Sequence, residues 1–394
     1  MAIYHLTMKP VSRSSGLSAV AAAAYRAGAK LTNERDGVTH DYTRRSRGIA
    51  HAEIALPKGK NVSWARDRSK LWNAAERAEN RIDARVAREF VVALPYELTS
   101  AERLKAIQAF AKALADGHGT AVDFAIHLPD RNGDIRNHHA HMLMTTRILT
   151  EFGLGEKTPI ETQNKALIAA GLPTTDIQLR NLRQRWEVIA NEHLVAAGLH
   201  IRIDHRSHND RGLQIEPTEH MGVRATQMQR RGLNVQRVRV TRQVALNNIA
   251  KICENPADVL KLISEEKSVF NHQDVTRTIK RYTENAEDFR DAILKVMTSP
   301  QIVELENKME GCVARYSTQG IVQVKRDMSA TAGAASDRGA TEATIGSLAR
   351  ISENFDPRSE VEQADSLEVS KSQFRRIAVE ENLQEQTITT KFNR

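Results

Sequence analysis

The chain has 394 residues, of which 40% are hydrophobic and 27% charged, and at roughly 100–200 residues per domain it can hold two or three domains with buried cores. Its net charge of +8 and isoelectric point near 9.5 favour a polyanionic partner. No run approaches the ~18 apolar residues of a membrane span, and the opening MAIYHLTMKP has no secretory pattern. Cys253 and Cys312 are too far apart for a disulfide scaffold or a zinc finger, so the expected compartment is the cytosol, with no membrane insertion.

The first ~215 residues read as one unit of mixed helix and strand, because the apolar period keeps changing. Ile3 to Met8 reads as an opening strand. Ser18 can cap a helix over Ala19 to Ala27, with Gly28 as its C-cap. Ser63 opens a helix expected to run to about Arg85, with Leu71, Ala74, Ala75 and Ala78 on one side. Glu89 to Leu94 reads as a strand stopped by Pro95. Thr99 and Glu102 form a capping box for a helix that carries Leu104, Ile107, Ala111 and Leu114.

Val122, Phe124 and Ile126 then alternate with Asp123, Ala125 and His127. A turn-rich run follows, Pro129 to Asp134, and His139, His141, Leu143 and Thr145 alternate with Ala140, Met142 and Met144: a β-hairpin pattern. A helix is expected from about Asp176 to Ala196, ending at Gly198, and Ile201 to Ile203 as a last short strand. Arg224 to Arg242 is rich in arginine and reads as an exposed helix or linker. Helical periodicity returns from Pro256 to Leu305. Beyond about Lys325 the composition is that of a disordered tail, with one weak helix near Gln373 to Leu383.

Residues two apart on a strand share a face, so His139 and His141 point the same way, and His127 joins them if the strands pair as a hairpin. Three imidazoles on one face match a metal site with open positions; the alternative is surface histidines on a half-exposed strand. His138 has the opposite parity. His205, His208 and His220 lie in a polar stretch with nothing to fix their geometry. Arg44, Arg45, Arg47, Arg81, Arg85 and Arg147 are candidate phosphate contacts. Trp64 and Trp72 can stack on bases or pack in a core. Glu76 and Glu79 read as solvated helix residues. Gly153 to Thr158 fails as a phosphate loop, because no glycine precedes Lys157 directly.

The stretches MAIYHLT, SRSSGLSAVAAAAYRAG, ERDGVTHDYTRR, WNAAERAENRIDARVAREFVVALP, AIHLPDRNGDIRNHHAHMLMTTR and EPTEHMGVRATQMQRRG together resemble the MobA/MobL (MobQ-class) relaxases of the HUH endonuclease superfamily. The resemblance covers about residues 1–232. That family often has proline where His138 stands. The resemblance implies an α+β fold: an antiparallel five-stranded sheet with flanking helices, in circularly permuted order, followed by a helical region and a disordered tail. It implies a metal-dependent enzyme that nicks one DNA strand at a plasmid origin of transfer, through Tyr25, and leaves a covalent 5′-phosphotyrosine. His127, His139 and His141 would hold the ion, Mg²⁺ or Mn²⁺ by the oxygen-rich substrate contacts, with Zn²⁺ and other transition metals also suited to three imidazoles. Glu89 stands where the family carries acidic residues and is the candidate to accept the tyrosine proton; a plain edge-strand charge is the alternative. Tyr25 as an ordinary amphipathic core residue is likewise open.

The implied organisation is a relaxase domain at 1–220, a basic linker at 221–253, a small helical connector at 254–322 and a tail at 323–394. The connector, PADVLKLISEEKSVFNHQDVTRTIKRY included, resembles the segment before the helicase half of TraA-like conjugative relaxases. The implied partners are single-stranded DNA at the origin of transfer, accessory relaxosome proteins and a type IV secretion coupling protein, in a bacterial cytoplasm. The alternatives are an HUH rolling-circle initiator or transposase, or a DNA-binding protein without catalysis. The first two usually place the histidine motif before the tyrosine, whereas here Tyr25 precedes His139 and His141.

Overall fold

Two faces of one antiparallel sheet organise the first half of the chain. The computed structural model describes residues 4–130, 134–217, 236–283, 285–306 and 314–336. The strands and helices before the histidine hairpin are β1 (Leu6–Ser12), α1 (Ala19–Ala27), β2 (Lys30–Thr32), β3 (Thr39–Asp41), β4 (Ile49–Ala55), α2 (Ser63–Arg66), α3 (Arg68–Arg77), β5 (Arg85–Ala93) and α4 (Ser100–His118). β6 (Val122–His127) and β7 (His139–Met144) form the hairpin. They are followed by β8 (Arg147–Leu149), β9 (Leu154–Lys157), α5 (Asn164–Ala169) and α6 (Thr175–Ala196). Strands β1, β5, β7, β6 and β4 lie side by side in that order, each pair antiparallel, as the expected five-stranded α+β fold requires.

The pleat separates the side chains. On one face Phe90, Val92, Phe124, Ile126, Met142 and Met144 pack with Ile107, Phe110 and Leu114 of α4 and Trp186 and Ile189 of α6. On the other, Ala87 and Leu143 meet Ala19, Val20 and Ala23 of α1 and Leu71, Trp72 and Ala75 of α3. Alanine keeps α1 thin, so its backbone lies close to the sheet and to the polar side chains that stand on that face.

Several elements differ from the sequence reading. β1 begins at Leu6 rather than Ile3 and runs on to Ser12, because Ser12 still pairs with Arg85 across a bulge. β5 starts four residues early for the same reason. The expected long helix from Ser63 breaks at Asp67, whose side chain accepts from Lys70 N at 3.1 Å and opens α3. It stops at Arg77, not Arg85, because the Arg13 guanidinium takes the carbonyls of Glu76 (2.6 Å), Glu79 (2.7 Å) and Arg81 (3.0 Å). The β2–β3 hairpin and the edge strand β4 add to the elements that the sequence pattern predicts. Trp72 is fully buried and donates to Asp123 at 2.8 Å, so it packs rather than stacks on bases. Gly153 to Lys157 belongs to the β8–β9 hairpin. Ile201 makes only an isolated bridge to Lys267, so the expected last strand is absent from the sheet.

That bridge leads into the second half. Here α7 (Gln236–Glu254), α8 (Ala257–Glu266), β10 (Phe270–Asn271), α9 (His272–Lys280), α10 (Ala286–Met297), β11 (Ile302–Glu306) and β12 (Arg315–Thr318) surround a core of Ile252, Val259, Ile263, Phe270, Val275, Ile279 and Val296. The helical periodicity is there, but a three-stranded sheet, β10–β12–β11, accompanies it. Chain contacts group Met1–Gln319 as one unit; α11 (Gln319–Ser336) extends helix into the stretch expected to be tail. Most of the arginine-rich segment, including Arg230 and Arg231, and the weak helix near Gln373 lie outside the described residues.

Glu266, at the end of α8, has a buried Oε2 without a hydrogen-bond partner. Burial pushes its carboxyl from 4.5 up to about 7, with Glu97 adding to the rise and Arg281 and Arg211 opposing it. The folded state thus binds this proton more tightly than the unfolded chain. The stability it contributes is present below pH ~4.5 and is lost as pH rises through 7. Glu266→Gln is expected to stabilise the protein by about 2–3 kcal/mol at pH 8 and to change little at pH 4, read from urea melts at the two pH values.

Candidate metal centre

The register of the central strands builds the site. His127 pairs directly with His139, Ala125 with His141, and on the other side of β7 Ala93 pairs with His139 and Val91 with His141. All three imidazoles therefore stand on the α1 face. Their ring centroids are 4.7–5.4 Å apart, and one ring nitrogen from each lies within 4.8 Å of the others.

Each imidazole has its other nitrogen occupied. His139 Nδ1 donates to the Asn137 carbonyl at 3.0 Å, and His141 Nδ1 donates to Glu89 Oε1 at 2.8 Å. His127 Nε2 lies 2.8 Å from the Arg26 carbonyl, and a carbonyl only accepts, so Nε2 carries the proton. The lone pairs left are Nε2 of His139, Nε2 of His141 and Nδ1 of His127. Burial pushes His127 down to about 4, and the neighbouring His141, His139 and Arg45 act in the same direction, against the Arg26 carbonyl. Burial lowers His139 as well. Neutral rings with one pinned N–H and one free lone pair are what a divalent ion needs from histidine. These nitrogens lie close enough together to suit a divalent ion held by three histidines.

Glu89 faces the same cluster. Arg26 Nε donates to its Oε1 at 2.7 Å and Arg26 Nη2 lies 2.6 Å from Oε2. Burial alone would raise this carboxyl, but the hydrogen bonds from His141 and Arg26 outweigh it and hold it at about 2. Both oxygens are engaged, so Glu89 is a weak proton acceptor and a firm anchor for His141.

α1 carries Tyr25 one residue before the Arg26 carbonyl that receives His127. Its ring meets Tyr42 edge-on at 5.2 Å, and the Arg45 guanidinium lies 4.1 Å over it. Arg44, Arg45 and Arg47 are exposed on the 3-10 turn Thr43–Gly48. That turn presses on Gly28. The backbone there is left-handed (φ +58°), and a Cβ would lie 2.9 Å from Ser46 Cα. The contact seats the arginines beside the end of α1.

The other candidate residues lie elsewhere. Arg81 pairs with Asp83 on the surface, and Arg85 is 3.8 Å from Glu161. Arg147 is held by Glu79 at 2.8 Å and the Gly155 carbonyl at 2.9 Å, a structural bond under β8. Tyr4 is tied to the Arg183 carbonyl of α6 at 3.2 Å, and burial raises its hydroxyl. His205 pairs with Glu187 and His208 donates to the Ile215 carbonyl, whereas His220 lies outside the described residues. Glu76 and Glu79, read as solvated, are 1% and 7% exposed. Glu76 accepts Ala19 N at 2.6 Å and pairs with Arg13 at 2.8 Å, so it holds the start of α1.

The family model for MobA/MobL matches residues 17–231, more than half of the chain. The chain belongs to the MobA/MobL family. Among curated relatives it is 32% identical to the conjugal transfer protein TraA of Agrobacterium fabrum, over 90% of this chain and 35% of that one. It is 39% identical to the mobilization protein MobL of Acidithiobacillus ferridurans, over 59% of this chain and 65% of that one. The chain thus spans about a third of the length of the TraA relatives it matches. A solved structure described as "Molecular Basis of Vancomycin Resistance Transfer in Staphylococcus aureus" is similar at 29% identity and a TM-score of 0.44, covering 52% of this chain and 100% of that one. No helix among the described residues is long and apolar enough to cross a membrane.

Removing one imidazole should leave two ligands. His139→Ala is expected to weaken Mn²⁺ binding by more than ~100-fold in titration calorimetry while far-ultraviolet dichroism stays unchanged, since His139 is not part of either core cluster.

Proposed function

We propose that this chain is a plasmid mobilisation relaxase, a metal-dependent enzyme that nicks single-stranded DNA at an origin of transfer. The observation that carries the reading is the histidine trio, each ring with one nitrogen anchored and one free, facing the helix that bears Tyr25. Family membership adds to it: relatives carry the names conjugal transfer protein TraA and mobilization protein MobL.

In this reading the Tyr25 oxygen attacks the scissile phosphorus. The bond from phosphorus to the 3′ oxygen breaks, the Tyr25 hydroxyl gives its proton to solvent, the departing 3′ oxygen takes one from solvent to become a hydroxyl, and the 5′ phosphate stays on Tyr25. A divalent ion, Mg²⁺ or Mn²⁺, held by His127, His139 and His141, would draw charge from the phosphate oxygens. Glu89 orients His141 rather than taking the tyrosine proton, because hydrogen bonds from Arg26 and His141 favour its ionised form. Arg45 stands over the Tyr25 ring, and with Arg44 and Arg47 it offers exposed cations to the backbone of the strand next to the reacting phosphate. Arg81 and Arg85 extend the basic surface; Arg147 serves the fold.

We assign nicking to residues 1–220, with 221–253 as a basic linker and 254–322 as a connector. The partners are single-stranded DNA at the origin of transfer, accessory relaxosome proteins and a type IV secretion coupling protein, met in the bacterial cytoplasm.

The test is incubation with single-stranded oligonucleotides tiling the cognate plasmid's origin, plus Mg²⁺ or Mn²⁺, followed by a denaturing gel. The parent should form a covalent adduct. Tyr25→Phe should bind the same oligonucleotide and form none, because phenylalanine has no oxygen to attack phosphorus. A normal adduct from that variant would move the nucleophile to Tyr42, the neighbouring phenol.

A further inference from the structure

Arg26, in the last turn of α1, reaches the surroundings of two of the three histidines. Its Nη1 donates to the Ala22 carbonyl one turn back in α1 at 2.8 Å. Its Nε and Nη2 grip both oxygens of Glu89, which in turn receives His141. Its own carbonyl receives His127. The Arg26 and Glu89 side chains are 16% and 13% exposed, so water screens this bond little. The fork is bidentate, which fixes orientation as well as distance.

We propose that Arg26 is a positioning residue that makes the metal centre and the Tyr25 helix one mechanical unit, so that metal binding sets the register of Tyr25. The inference rests on the relaxase reading of the site. An ion on His127 Nδ1 or His141 Nε2 withdraws electrons from the ring and makes the opposite N–H a stronger donor. For His127 that donor points at the Arg26 carbonyl. For His141 it points at Glu89, and through Glu89 at the Arg26 guanidinium. Both effects tighten the last turn of α1, where Tyr25 sits. The negative end of the α1 dipole also faces this site, so a cation there and an ordered last turn favour one another. Lysine at position 26 keeps the charge but grips one oxygen only, which should loosen the register without removing the ion pair.

The experiment measures Mn²⁺ itself, not turnover. Hydrogen exchange of the α1 amides is compared with and without Mn²⁺ in the parent, Arg26→Lys, Glu89→Gln, the double variant and His139→Ala, with calorimetry giving Mn²⁺ affinity on the same samples. In the parent, Mn²⁺ should slow exchange in the last turn of α1. In Arg26→Lys, Mn²⁺ should still bind, about tenfold more weakly, and the slowing should shrink to the part that the His127 bond to the backbone carbonyl of residue 26 carries. Arg26→Lys and Glu89→Gln should be non-additive in Mn²⁺ affinity, since both act through one carboxylate. If Mn²⁺ binds the parent and not His139→Ala, yet α1 exchange is indifferent to it, or if Arg26→Lys keeps the full slowing, Arg26 is merely structural and the inference is overturned while the metal centre stands. If the parent binds no Mn²⁺ at all, the metal reading and this inference fall together.

Discussion

The antiparallel register of β6 on β7 is the constraint from which the site follows. With His127 opposite His139, the parity of both strands puts three imidazoles on one face and Phe124, Ile126, Met142 and Met144 on the other. A slip of one residue in either strand would send its histidines into the core beneath α4 and α6 and its apolar residues toward α1. The core therefore protects the site. The area of apolar surface buried under α4 and α6 dictates the register, and the register dictates the donor set.

Two carboxylates, one buried and one largely so, then hold α1 where the sheet needs it. Glu76 meets the first amide of the helix together with Arg13, and Glu89 grips Arg26 in its last turn. One pair stands at each end of a nine-residue helix that has little side-chain bulk of its own. Alanines let the helix approach the sheet, but alanine has no polar group with which to fix rotation or translation. The charges supply that. Each is matched by a guanidinium with fork geometry, and so the cost of burying it is offset by two hydrogen bonds rather than one. The same bonds make Glu89 a strong anchor and a poor base.

The second half of the unit has a separate core and meets the first through the Ile201–Lys267 bridge, the Arg202 amide on the Glu266 carbonyl at 2.9 Å, and Arg211 against Glu265. Polar contacts of this kind join modules without merging their cores. The unpartnered Glu266 oxygen sits at this junction and leaves it less than fully optimised at neutral pH.

Local signals were readable in the sequence wherever one residue type has one physical role. Ser18 and Gly28 bound α1 as expected, Thr99 and Glu102 cap α4, and the alternation around His127 and His139 places β6 and β7. The family and the five-stranded fold class followed from stretches spread over the first 232 residues. Partners distant in the chain were not readable. Arg26 meets Glu89 across 63 residues and Arg13 meets Glu76 across the same span, and no spacing rule announces either. Glu76 and Glu79 look solvated because a charged residue on a helix usually is, and only the packing of Arg13 and Arg147 onto them reverses that. β4 is short of branched residues and is a strand because β6 offers it an edge. The sequence by itself determined which side chains share a face, since that depends on backbone period alone. The tertiary structure decided which face meets which helix and which charges are paired, because those depend on distances between segments that the chain's local order does not contain.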